Sequence, residues 1–152
     1  MASTISNATL TVKLTETLTL NGSNHGSTQK MTITGINEVS KRILEIPSSA
    51  SSSAQIYAGA SAAAYGTFVT TDVKYIRITN LDDSANVILH LESSTSYTQL
   101  AVPAGHVFML TDLTSSLDNA AAIGSISAED ITRIDAMGDG AAVDIEIMVA
   151  SS

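Results

Sequence analysis

Val73-Lys74-Tyr75-Ile76-Arg77-Ile78-Thr79-Asn80, then Leu81-Asp82-Asp83-Ser84-Ala85-Asn86, then Val87-Ile88-Leu89-His90-Leu91-Glu92 is the stretch that decides the fold. Two runs rich in β-branched and aliphatic residues flank a segment of turn-formers, which reads as strand, turn, strand. In the second run Val87, Leu89 and Leu91 share one face, because successive side chains of a strand point to opposite sides. His90 shares the phase of Asn86 and Ile88 and falls on the wetter face. Ser93 to Ser96 turns again, and Tyr97-Thr98-Gln99-Leu100-Ala101-Val102 runs to Pro103-Ala104-Gly105. His106-Val107-Phe108-Met109-Leu110 follows. Short strands joined by polar turns predict an antiparallel meander over this region.

Toward the amino end the period of two persists. In Ala8-Thr9-Leu10-Thr11-Val12-Lys13-Leu14 the even positions are apolar, and the phase resumes at Leu18 and Leu20, which predicts a strand with one buried and one wet face. Asn21-Gly22 reads as a hairpin turn. Lys30 to Thr34 alternates. Val39 to Ile46 carries Ile43, Leu44 and Ile46 and should stop at Pro47, which has no N–H to give a ladder. Ser48 to Ser53 is a low-complexity loop. Residues 54–66 are ambiguous: alanine favours helix, but Gly59 and Gly66 interrupt and no large apolar face forms, so strand and loop is the reading adopted.

Toward the carboxyl end, Leu117 to Ile123 reads as a short helical turn capped by Ser115 or Ser116. Ser127-Ala128-Glu129-Asp130 resembles a helix start too, but Ile131-Thr132-Arg133-Ile134 reads better as a strand. Gly138-Asp139-Gly140 is a turn, and Ala142 to Val149 closes the chain with odd positions apolar and Asp144 and Glu146 outward. The sum is an all-β, antiparallel β-sandwich of jelly-roll-like type with about 8–10 strands. Residues 1–152 form one domain with an extended N-terminal strand or arm at about 1–22, since no linker or repeat divides the chain.

Composition narrows the function. The chain has 152 residues and a net charge of −8, which opposes a nucleic-acid or anionic-membrane partner. Residues 112–152 hold eight acids against Arg133 alone, while residues 1–111 hold seven against six basic groups. That acidic third reads as a solvated face, as a surface complementary to a basic partner, or as a binder of divalent cations. No cysteine is present, which removes disulfides, thiolate nucleophiles and zinc fingers. The opening residues lack a basic and an apolar region, so they do not read as a signal peptide. No run of about 18 apolar residues exists to span a membrane.

Chemistry-bearing motifs are scarce. No G-x-S-x-G elbow, Walker A loop or G-x-G-x-x-G occurs, and Gly138-Asp139-Gly140 is followed by a strand-like run, the wrong context for phosphate. His25 sits in a polar loop, and His90 and His106 lie in strands; none pairs with another as metal ligands do. Asp82-Asp83-Ser84-Ala85-Asn86 offers oxygens to Ca²⁺, but its spacing is not that of an EF-hand, and Asp and Asn satisfy their own backbone in such turns. Tyr57, Tyr65, Tyr75 and Tyr97 are the aromatic groups available to a sugar-stacking platform. No catalytic residue, metal ligand or cofactor is assigned.

The 21 serines and 18 threonines, with few charges, make flat surfaces that lose little side-chain entropy on association. Mean hydropathy is positive, so apolar residues beyond the inner faces need cover. A homo-oligomer or a subunit docked on a larger assembly is therefore expected.

The central segment, with Val73 to Asp82, Val87 to Leu91 and Leu100 to His106, resembles a pattern of small tailed-phage virion proteins: a strand ending in Thr-Asn, a polar turn, a second strand, and a Pro-Ala-Gly turn into a third. Ala142 to Ile147 is similar to their closing strand, so the likeness covers roughly residues 66–149. It implies a jelly-roll capsid decoration or cement protein, not an enzyme, trimeric, partnered by the major capsid protein or other virion subunits. Its place would be the virion, assembled in the bacterial host cytoplasm. A tail or connector subunit, or a carbohydrate-binding or adhesion module on the same fold, are the alternative expectations.

Overall fold

Alternation of apolar and polar residues carries most of this chain into strands, and a computed structural model describes residues 6–111 and 129–152. The described strands are β1 (Ala8–Thr15), β2 (Thr19–Leu20), β3 (Ser23–Asn24), β4 (Thr28–Ile36), β5 (Glu38–Ile46), β6 (Ala54–Ala60), β7 (Phe68–Val69), β8 (Val73–Asn80), β9 (Val87–Glu92), β10 (Tyr97–Val102), β11 (Val107–Leu110), β12 (Arg133–Gly138) and β13 (Val143–Ser151). Helical structure among them is limited to the 3-10 turns Ala50–Ser52 and Thr70–Asp72. The helical turn expected at Leu117–Ile123, Ser127 and Ala128, and the first five residues of the arm lie outside the described residues.

Two sheets make the body. One has the order β11-β8-β13-β5, the other β10-β9-β12-β6 with the short β7 added at its end. Every pairing is antiparallel except β6 with β7. The eight long strands thus take the jelly-roll order, two interleaved four-stranded sheets. The expected eight to ten strands hold for this sandwich, and β1 to β4 lie outside it. The meander expected over residues 73–110 is not what forms. Only β9 and β10 make a hairpin; β8 and β11 pair with each other in the opposite sheet. The chain crosses between layers at 81–86 and again at 103–106, because each run has a single apolar face and both sheets need one for a shared core.

That core draws on both layers. Ile76, Ile78, Ile145 and Ile147 from one sheet meet Val87, Leu89, Leu91 and Ile134 from the other, each at most 2% exposed. Burial of such a side chain contributes about 1.5–3 kcal/mol. In β6 the register with β12 slips between Gln55 and Tyr57, leaving Ile56 unpaired in the ladder. Both Ile56 and Tyr57 consequently turn inward.

The amino-terminal part is a two-stranded ribbon. Among the described residues β1 pairs only with β4, and β2 pairs with β3 through Asn21-Gly22, both at positive φ as a tight hairpin turn requires. The arm is therefore a hairpin running to Ile36 rather than one strand ending near residue 22. Its apolar face is not a core face in the sense expected. Leu10, Val12, Ile33 and Ile36 lie across the outside of the first sheet against Tyr75, Met148 and Ala150. Beyond them the ribbon overhangs, and Leu14, Leu18 and Leu20 are 50–57% exposed.

Candidate functional site

Two surfaces carry the described side chains that face outward with chemistry to offer. The first is the outer face of the β10-β9-β12-β6 sheet. Register places Gln99 opposite His90, His90 opposite Asp135, and Asp135 opposite Gln55, a polar row across four strands. The neighbouring row runs Tyr97, Glu92, Arg133 and Ala58. Their alternates Leu91, Ile134 and Ala136 fill the core, which fixes the row in place.

The row is ordered by its own contacts. Arg133 grips Asp135 with both arms of its fork, Nε to Oδ1 at 3.0 Å and Nη2 to Oδ2 at 2.8 Å. The hydrogen bond and charge of Asp135 hold the Arg133 guanidinium proton more tightly than usual. Gln99 Nε2 lies 3.3 Å from His90 Nδ1. The amide nitrogen donates there when Nδ1 is the unprotonated ring nitrogen. The His90 and Tyr97 rings lie 5.7 Å apart, tilted by 31°. Beside the His90–Gln99 pair is an open depression of about 290 Å³ lined by Ser53, Ile88, His90, Gln99, Asp135 and Met137, with Tyr97 outside its lining.

The second surface is the ribbon overhang. Beside it a groove of about 340 Å³, walled by Val12, Leu14, Met31 and Met109, opens between the ribbon and β11. Val107 and Met109 are exposed on the outer face of β11. In the same sheet Glu146 bridges Arg77 and Lys41, the latter at 3.0 Å.

The remaining residues singled out from sequence are dispersed. Tyr57 is buried and stacks on Phe68 with centroids 6.0 Å apart; Tyr75 is buried beneath the ribbon; Tyr65 is fully exposed elsewhere. Only Tyr97 stands beside the polar row, in the neighbouring one, so the four tyrosines form no platform. Burial, then the charge of Asp130, pushes the Tyr57 hydroxyl up to about 12, and that hydroxyl has no hydrogen-bond partner among the described residues. His25 sits at the ribbon tip, where its N–H donates to the Leu18 carbonyl. His106 does not lie in a strand as expected but just before β11, its Nδ1 2.8 Å from the Ala104 carbonyl.

Asp82 spends its carboxylate on its own turn. Oδ1 accepts from the Ser84 and Ala85 N–H groups, each at 2.8 Å, and these hold its pKa below the usual range. Glu129 does the same for another turn, accepting from the Thr95 and Ser93 hydroxyls at 2.8 Å, which lower its pKa. The described acids of the carboxy-terminal third do not share one face. Asp144 and Glu146 point out from the first sheet and Asp135 from the second; Asp112 and Asp118 lie outside the described residues. Among the described residues no group of three or more His, Asp or Glu is placed to hold a metal ion, and no helix is long and apolar enough to cross a membrane.

Sequence reasoning passed over Gln55, Gln99, Asp135 and Arg133 as site residues. Their shared phase with His90 was visible within each strand, but nothing local says which strands are neighbours. Comparison with protein families, with curated proteins and with solved structures finds no match to this chain.

Proposed function

We propose that the chain is a non-enzymatic structural subunit of a tailed-phage virion, a capsid decoration or cement protein that bridges coat subunits and braces the head. In this reading it works as a homo-oligomer, a trimer, on the major capsid protein, and is built into particles in the cytoplasm of the bacterial host.

The observation that carries the reading is the overhanging ribbon. A two-stranded ribbon is marginal in water unless another layer covers it. Leu10, Val12, Ile33 and Ile36 have that cover on Tyr75 and Ala150, whereas Leu14, Leu18 and Leu20 continue the stripe with half or more of their surface exposed. Apolar side chains held out on an arm fit burial against a neighbouring subunit. The resemblance of residues 66–149 to small virion proteins supplies the context.

Assembly tests it. Particles built without this protein are expected to lose resistance to heat or chelation and to regain it when the chain is added back. Particles of unchanged resistance remove the cementing role.

A further inference from the structure

We propose that the outer face of the β10-β9-β12-β6 sheet binds a neutral saccharide, with Tyr97 as the stacking ring and His90, Gln99 and Asp135 as the hydroxyl-binding groups. Saccharides offer two chemistries at once. Their axial C–H groups form apolar patches that lie on an exposed ring, and their hydroxyls both donate and accept. The row meets both. Tyr97 is 64% exposed, and its ring is held beside the imidazole of His90. The His90 imidazole and the Gln99 amide offer polar groups on the outer face, the Asp135 carboxylate lines the depression at 8% exposure, and the Gln55 amide extends the row on β6.

Preorganisation strengthens the case. The polar groups stand on strands rather than loops, and Asp135 is locked by two bonds to Arg133 before any ligand arrives. Little ordering is left to oppose binding. Each carboxylate oxygen keeps a lone pair, and vicinal hydroxyls match a carboxylate beside a guanidinium. The depression is open and lined from β9, β10 and β12, so a chain end or a side branch fits better than an enclosed small molecule.

Charge selects the class. Glu92 stands opposite Arg133 in register and Asp135, two residues along β12, is ion-paired to it, so the three leave one net negative charge that disfavours sialylated, sulfated or phosphorylated sugars. This site lies on the sheet opposite the ribbon. A subunit held by its arm therefore leaves this face turned away from its support. The proposal does not depend on the assembly reading, because its test uses the free chain.

The test is an array of neutral oligosaccharides containing glucose, galactose and N-acetylglucosamine beside sialylated and sulfated ones, probed with the full chain. Calorimetric titration of the strongest neutral hit follows, with wild type, Tyr97→Ala, Gln99→Ala and Tyr65→Ala. Neutral hits are expected, weakened at least about tenfold by Tyr97→Ala and by Gln99→Ala, and unchanged by Tyr65→Ala. Both lost groups are on the exposed face, so folding is retained and is checked by circular dichroism. Absence of any neutral hit, hits confined to acidic sugars, or a Kd indifferent to Tyr97→Ala each overturns the proposal.

Discussion

The side-chain amide of Asn80 donates to the carbonyl of Val102 at 3.0 Å, twenty-two residues further along the chain. The same nitrogen donates to the Ala85 carbonyl at 2.9 Å, and Asn80 Oδ1 accepts from the Asp82 N–H at 3.0 Å. Its backbone N–H reaches the His106 carbonyl, also at 3.0 Å. Asn80 is fully buried. It ties together the two crossings between sheets, at 81–86 and 103–106, so one side chain holds the points at which the sandwich departs from a meander.

Replacing it by alanine strips partners from two carbonyls and one N–H. Asn80→Ala is expected to cost about 3 kcal/mol, at the upper end for a single side chain, because buried polar groups are left unsatisfied. Asn80→Asp is expected to cost more, since it sets a carboxylate against two carbonyl oxygens. Urea unfolding monitored by circular dichroism measures both. A loss within about 0.5 kcal/mol for Asn80→Ala would show that water enters and takes over the bonds.

The ribbon leucines should behave in the opposite way. Leu18 and Leu20 are 53% and 57% exposed. The double change Leu18→Ser, Leu20→Ser is expected to move the free chain's stability by no more than about 0.5 kcal/mol, while weakening its association with its assembly. Sedimentation velocity and particle-binding assays read the second effect. A stability loss of several kcal/mol would place these leucines in the chain's own core.

Acid should weaken the turns at 82–85 and 93–96. The Asp82 carboxyl is held below its ordinary value by the Ala85 and Ser84 N–H groups, and that of Glu129 by the Thr95 and then the Ser93 hydroxyl. For a depressed carboxyl the unfolded chain takes up protons first as pH falls, so the contribution is present above the ordinary values and lost through the folded ones. Below pH 4.5 the wild type is expected to lose stability more steeply than the variant Asp82→Asn, Glu129→Gln. Parallel slopes in urea midpoint against pH would refute the assignment.

Alkali should act through Tyr57. Its ordinary value is 10, and burial followed by the charge of Asp130 pushes it up to about 12. Below 10 the phenol is neutral in both states; between 10 and 12 only the unfolded chain releases its proton, so stability falls as pH rises. Tyr57→Phe is expected to flatten part of that fall, the remainder coming from Tyr75, which is also raised by burial. Because the Tyr57 hydroxyl has no partner among the described residues, the same change should cost under about 1 kcal/mol at pH 7. A large loss at neutral pH would reveal a bond to that hydroxyl.

The outcome at particular residues shows how far reading the chain reached. The inward faces of Val87, Leu89 and Leu91 and of Val143, Ile145 and Ile147, the stop after Ile46 and the turn at Asn21-Gly22 were all readable locally. Tyr57 was not, because the slip at Ile56 depends on how β6 pairs with β12, about eighty positions away. Nor was the fate of Leu10, Val12 and Ile33, whose alternation announces a covered face without saying that the cover is the outside of another sheet.

Period-two patterning, turn chemistry and composition therefore settled the strands, their inward sides and the all-β class, since each depends on a side chain and its near neighbours. Which strands became companions was decided by folding alone. Closing a core requires chain segments far apart in order to meet, and only that meeting set Gln99, His90, Asp135 and Gln55 in one line and left the ribbon reaching past its own support.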